Sequence, residues 1–73
     1  MIIYKDIDKD SGIYSYEINS ESITVWFKSG GKAYTYSYKS AGRHHVEKMK
    51  ELAATGNGLN SYIMKNVRSD FEK

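Results

Sequence analysis

Four carboxylates near the start of the chain, Asp6, Asp8, Asp10 and Glu17, fall at positions 1, 3, 5 and 12 of a twelve-residue window. Oxygen ligands at that spacing are the chemistry of a calcium loop, and Ile13 stands at its hydrophobic eighth position. The sixth position, where the sharp turn needs glycine, holds Ser11, and Gly12 comes one place late. Only five residues precede the window, too few for an entering helix. The segment therefore reads first as an acidic surface turn that keeps a neighbouring edge strand from pairing, with calcium on Asp6, Asp8, Asp10 and Glu17 as the alternative.

A second set of residues suits phosphate and base chemistry. Trp26 is the one large aromatic placed on the outer face of the expected sheet, close in sequence to Lys28. An exposed ring beside lysine can stack a nucleobase, worth roughly 1–3 kcal/mol per base. The alternative is that Ile2, Ile3, Tyr4 or Ile7 folds over it. Lys39, Arg43, His44, His45, Lys48 and Lys50 make one expected helix basic, and Lys65 and Arg68 do the same for a second. Arg43 with Lys50, and Lys65 with Arg68, are near neighbours on their helical faces, an arrangement that could track phosphates. Glu47 and Glu51 interrupt it, and a salt-laced solvated face is the competing interpretation.

Other chemistry finds little support. The adjacent His44 and His45 point about 100° apart on a helix and have no third ligand at metal spacing. Cysteine is absent, which removes disulfides, thiolate metal sites and a cysteine nucleophile. Neither a phosphate-cradling glycine loop nor a serine elbow can be read. The expectation is a protein that is not an enzyme and carries no cofactor.

Charge is distributed unevenly behind a net +2: −3 over residues 1 to 21, +6 over 22 to 68 and −1 over 69 to 73. No apolar run approaches the roughly 20 residues of a membrane span and no signal-peptide pattern is present, so a cytoplasmic protein with no membrane partner is expected. At 73 residues, a single domain over 1–73 buries only about 60% of its unfolded surface, so a partner or second copy would add stability; monomer and homodimer are both open.

These residues must be positioned by a small set of elements. Ser22 to Lys39 reads as a hairpin in which two alternating aromatic and β-branched runs flank Gly30-Gly31, a pair suited to a two-residue turn. That turn places Phe27 opposite Tyr34, Val25 opposite Tyr36 and Ile23 opposite Tyr38. A preceding run, Ile13 to Ile18, adds Tyr14, Tyr16 and Ile18 to the same face, so residues 13–39 form a three-stranded antiparallel meander. Residues 1–10 form an N-terminal segment or an extra edge strand. Ser40 then caps a helix over 41–55 carrying Val46, Met49 and Ala53, which stops at Gly56. Asn60 caps a second helix over 60–71, with Leu59 and Met64 at staple spacing and Ile63, Val67 and Phe71 at i, i+4 and i+8. The fold class is α+β, with two helices packed on one sheet face.

The pattern Ile23-x-Val25-x-Phe27, then Gly30, then Tyr34-x-Tyr36, followed by Ala53, Gly56, Leu59-Asn60 and Ile63, resembles the KTSC domain. That short module is named for its occurrence at the C-terminus of some lysyl-tRNA synthetases and is found also as a stand-alone bacterial protein. The resemblance covers roughly residues 13 to 71 and implies an RNA-binding role. Together the readings predict a small non-catalytic module that engages RNA, single-stranded nucleic acid or a nucleoprotein through Trp26, Lys28, Lys39, Arg43, Lys50, Lys65 and Arg68. The alternative is a protein-interaction module, such as a phage- or mobile-element-encoded inhibitor of a host machine.

Overall fold

A computed structural model describes residues 2–4, 12–28 and 32–72. Four antiparallel strands lie side by side in chain order: β1 (Ile2–Ile3), β2 (Ile13–Asn19), β3 (Ser22–Phe27) and β4 (Ala33–Ser37). The class is α+β as expected, but the sheet has a fourth strand, because Ile2 and Ile3 pair with Tyr16 and Ser15. After β4 come α1 (Arg43–Thr55) and α2 (Leu59–Tyr62), the latter continuing as a wider π-helical turn over Ile63–Val67.

Strand alternation decides what the helices cover. Tyr16, Ile23, Val25 and Tyr36 lie buried on one face, and α1 packs against β3 and β4 there. Val46, Met49 and Ala53 from α1, with Leu59, Ile63 and Val67 from the second helical segment, complete that core. Tyr4, just past β1, joins it: its ring meets Tyr16 edge-on at 6.5 Å, and its hydroxyl accepts a hydrogen bond from the Leu59 backbone at 3.3 Å. The start of the chain thus ties the sheet to the second helix.

The register departs from expectation in two places. Val25 lies opposite Tyr34 and Ile23 opposite Tyr36, a slip of two residues from the pairing expected for a turn centred on Gly30-Gly31, glycines that lie outside the described residues. A slip of two leaves every side chain on its expected face, so the core survives the change. In the β2–β3 pair, Ile18–Ile23 and Tyr16–Val25 align as expected, but the register shifts between Ile13 and Ser15. That bulge puts Ile13 opposite Phe27 and into the core at 1% exposure, while Tyr14, expected in the core, is 48% exposed. Ile18, also expected in the core, is 41% exposed near the end of β2.

Both helix starts also differ. α1 begins at Arg43, not residue 41, because Ser40 is spent in the preceding turn, where its hydroxyl accepts from the Ser37 backbone at 3.0 Å. Gly42 stands at the cap with φ 95° and ψ 141°. Gly56 ends α1 in the left-handed conformation, its amide donating to the Leu52 carbonyl at 3.0 Å. Gly58, at φ 82°, precedes α2, which places Asn60 inside the helix; Leu59 is buried while Met64 is 47% exposed, so no staple forms between them. The second helical segment stops at Val67, short of residue 71. Phe71 instead follows a turn closed by the Asp70 amide on the Val67 carbonyl at 2.9 Å, and its ring packs edge-on against Tyr34 at 4.7 Å and Tyr36 at 6.2 Å. The Glu72 amide then donates to the Thr35 carbonyl at 2.6 Å, and its carboxylate accepts from the Ser37 hydroxyl, so the tail lies along β4.

A Cβ added at Gly42 meets nothing within 4 Å and one at Gly58 only Leu52 Cδ2 at 3.9 Å, so backbone strain alone sets the cost of a side chain there. Gly42→Ala is expected to lower stability by about 1–3 kcal/mol and Gly58→Ala by about 1 kcal/mol. Urea unfolding followed by Trp26 fluorescence checks both; unchanged midpoints would contradict the positive φ angles.

Candidate nucleic-acid interface

Trp26 emerges on the sheet face opposite the helices, as alternation from Val25 requires. Its row across the sheet reads Ile3, Ser15, Trp26, Ala33. Trp26 is half-buried there, next to a fully buried Ser15, and Thr24 and Thr35 share a hydroxyl hydrogen bond of 2.8 Å in the neighbouring row. Of the N-terminal residues expected to fold over the indole, Ile3 lies in its row beyond Ser15, Tyr4 enters the opposite core and Ile7 lies outside the described residues. Lys28 follows at the end of β3, exposed, with its amide donating to the Gly12 carbonyl at 2.7 Å.

The cations of α1 are on the other side of the sheet, so Trp26 and Arg43 do not form one surface. Arg43 and Lys50 converge on a ring: each has its charged group 5.7 Å from the Tyr38 centroid, inside the range of cation–π attraction. The Tyr38 hydroxyl donates to Glu47 Oε2 at 2.6 Å, and Lys50 Nζ binds Glu47 Oε2 at 3.1 Å and the Ser20 carbonyl at 3.1 Å. The hydrogen bond from Tyr38, with Lys50 next, holds the Glu47 carboxyl below its ordinary range, and the same bond raises the Tyr38 phenol. Lys50 is thereby committed inside the fold, whereas Arg43 and the neighbouring Lys39 are exposed. Glu51 takes Lys48 at 3.3 Å.

Lys65 and Arg68 are exposed on and just after the π-helical turn. Arg68 borders an open groove of about 370 Å³ lined also by Phe27, Tyr34, Tyr36, Met64 and Phe71. The sequence gives its ingredients without the assembly: Phe71 reads as one more turn of a helical stripe, and only the tail's return over β4 brings it to Phe27 and Tyr34. The signal that could have flagged it is Met64 and Arg68 at i, i+4, a soft apolar group and a guanidinium on one helical face.

The histidines act locally. His45 Nδ1 lies 2.7 Å from the Tyr62 hydroxyl and the His44 ring meets His45 edge-on at 5.4 Å. Among the described residues no group of three or more histidines or carboxylates is placed to hold a metal. Asp6, Asp8 and Asp10 lie outside the described residues, and Glu17 is exposed in the middle of β2, opposite Thr24. Among the described residues no helix is long and apolar enough to cross a membrane. No protein-family model matches the chain, and no curated protein or solved structure gives a significant match.

Tyr36, at 1% exposure, has its phenol pushed up to about 12, first by burial and then by Tyr34 and Asp70. Below pH 10 the phenol is protonated in folded and unfolded chains alike. As pH rises from 10 through about 12 the unfolded chain releases this proton and the folded chain holds it, so stability falls across that window, by on the order of 2 kcal/mol. Alkaline unfolding with tyrosinate absorbance should show this loss, and Tyr36→Phe should flatten it; an unchanged slope in the variant would refute the assignment.

Proposed function

We propose that the chain is a small non-catalytic module that binds single-stranded nucleic acid, RNA in the first instance, through its exposed cations. One observation carries this reading. The only acids between residues 22 and 68, Glu47 and Glu51, are paired with Lys50 and Lys48, while Lys28, Lys32, Lys39, Arg43, Lys65 and Arg68 are all exposed. The two acids of that stretch are each held in an internal ion pair, and six further cations there are exposed. Lysine and arginine on phosphates release counterions, so affinity must fall steeply with salt. A cytoplasmic, KTSC-like role accords with this reading, and Trp26 supplies a second, separate ring on the opposite face.

A protein partner is the second reading, favoured by a different observation. Ile2, Ile3, Tyr14 and Ile18 are 52%, 56%, 48% and 41% exposed on the two strands at the β1 side of the sheet. An apolar flank of that kind suits a protein surface, such as a host machine that the chain would inhibit.

Titration of the protein with a mixed-sequence single-stranded RNA at several salt concentrations tests the first reading. The double variant Lys65→Gln, Arg68→Gln is expected to reduce the salt slope by about 2, and Lys39→Gln, Arg43→Gln by a similar amount. Lys50→Gln should leave the slope unchanged, because its ammonium is already held by Glu47 and Ser20. A slope unaffected by both doubles would overturn the reading, and stoichiometric binding to a protein with no RNA affinity would favour the second.

A further inference from the structure

The groove bounded by Phe27, Tyr34, Tyr36, Met64, Arg68 and Phe71 concentrates three edge-to-face aromatic contacts beside a guanidinium. We infer that it receives one unstacked nucleobase, with Arg68 on the adjoining phosphate. The inference rests on the nucleic-acid reading above and names the place where a base, as opposed to the backbone, would be held.

Size and shape come first. A volume of about 370 Å³ falls in the range of small-molecule sites, and the groove is open enough to admit a base still attached to its strand. The walls come next. Phe27 meets Tyr34 at 5.5 Å and 67°, Tyr34 meets Phe71 at 4.7 Å and 66°, and Tyr36 meets Phe71 at 6.2 Å and 86°. In an edge-to-face contact the two rings stand at a steep angle, so half-buried Phe27, Tyr34 and Phe71, with Tyr36 buried beside them, line the groove with apolar ring surface. A flat, neutral base fits such walls irrespective of its identity, because every base has a π face. Met64, 47% exposed, adds a polarizable thioether at the rim.

Charge then selects among flat or apolar occupants. Among the described residues, Arg68 is the one charged residue in the lining, and Lys28 and Lys65 are exposed next in the chain to the lining residues Phe27 and Met64. The tail contributes Asp70 and Glu72; the Glu72 carboxylate is bound by Ser37, and Asp70 acts near Tyr36. The phosphate is therefore placed on the Arg68 side of the groove and away from the tail. An uncharged apolar side chain from a protein would fill the walls but leave the guanidinium without its anion. A nucleotide satisfies both at once, the guanidinium fork matching two phosphate oxygens.

Two probes test the inference on the full chain: adenosine monophosphate followed by aromatic-ring NMR, and a fluorescent single-stranded RNA carrying 2-aminopurine, compared with the same strand abasic at that position. The monophosphate is expected to shift Phe27, Tyr34 and Phe71 ring signals, and the intact strand to bind about tenfold more tightly than the abasic one, with 2-aminopurine quenched. Phe27→Leu and Phe71→Leu, chosen as two variants because Phe71 also anchors the tail, should each abolish the quenching, while Arg68→Gln should weaken monophosphate binding about tenfold. If the strand binds with the expected salt dependence but intact and abasic forms bind equally and the groove signals stay still, the base site is overturned and charge-driven binding stands. If neither probe binds at any salt, both the site and the nucleic-acid reading fall.

Discussion

Everything in this fold depends on covering one aromatic sheet face with very little chain. Tyr16, Ile23, Val25 and Tyr36 form a wall that would stand in water if α1 did not set Val46, Met49 and Ala53 on it. Burying such side chains is the dominant favourable term in folding, and a small domain has few to spare. Two short segments finish the job from opposite ends of the sequence. Tyr4 closes the β1 side and receives the Leu59 amide, and Phe71 closes the β4 side against Tyr34 and Tyr36. Tyr4 and Phe71 are therefore both structural, and they extend the core at the two sides of the sheet.

That dependence explains which features were legible in the sequence. Alternation has a period of two, so the faces of β2, β3 and β4 could be read even though the β3–β4 pairing could not be fixed: a slip of two residues costs nothing in face assignment, and only the geometry of the loop decides it. The bulge was invisible for the complementary reason. One extra residue at Tyr14 exchanges Ile13 for Tyr14 in the core, and both are plausible core residues by type. The helix caps failed on chemistry, since Ser40 and Asn60 can cap, but Gly42 and Gly58 reach backbone conformations from which the turns themselves start the helices.

The candidate interface was legible as a list and not as a surface. Arg43 and Lys50, spaced one heptad apart, do meet, but on the Tyr38 ring, and Glu47 draws Lys50 out of contention as a phosphate ligand. Trp26 was correctly placed on the face away from the aromatic core, yet the sheet separates it from the helical cations. Arg68 gains its importance only from the tail: a helix continued to residue 71 would have put Phe71 on the helical stripe, and the groove beside Arg68 would lack one of its walls.

The same tail changes what the sheet can do in company. A β-sheet has two edges, and open-ended stacking of identical chains needs both of them, each copy offering one edge and receiving on the other. Here Glu72 occupies the Thr35 carbonyl on the outer side of β4, while the β1 side presents Ile2 and Ile3. With Thr35 already bonded to its own chain, the β4 edge is partly occupied, whereas among the described residues the β1 edge is not covered in this way. The last few residues thus break the row of backbone groups that the β4 edge would otherwise offer, so the two edges of the sheet are not equivalent.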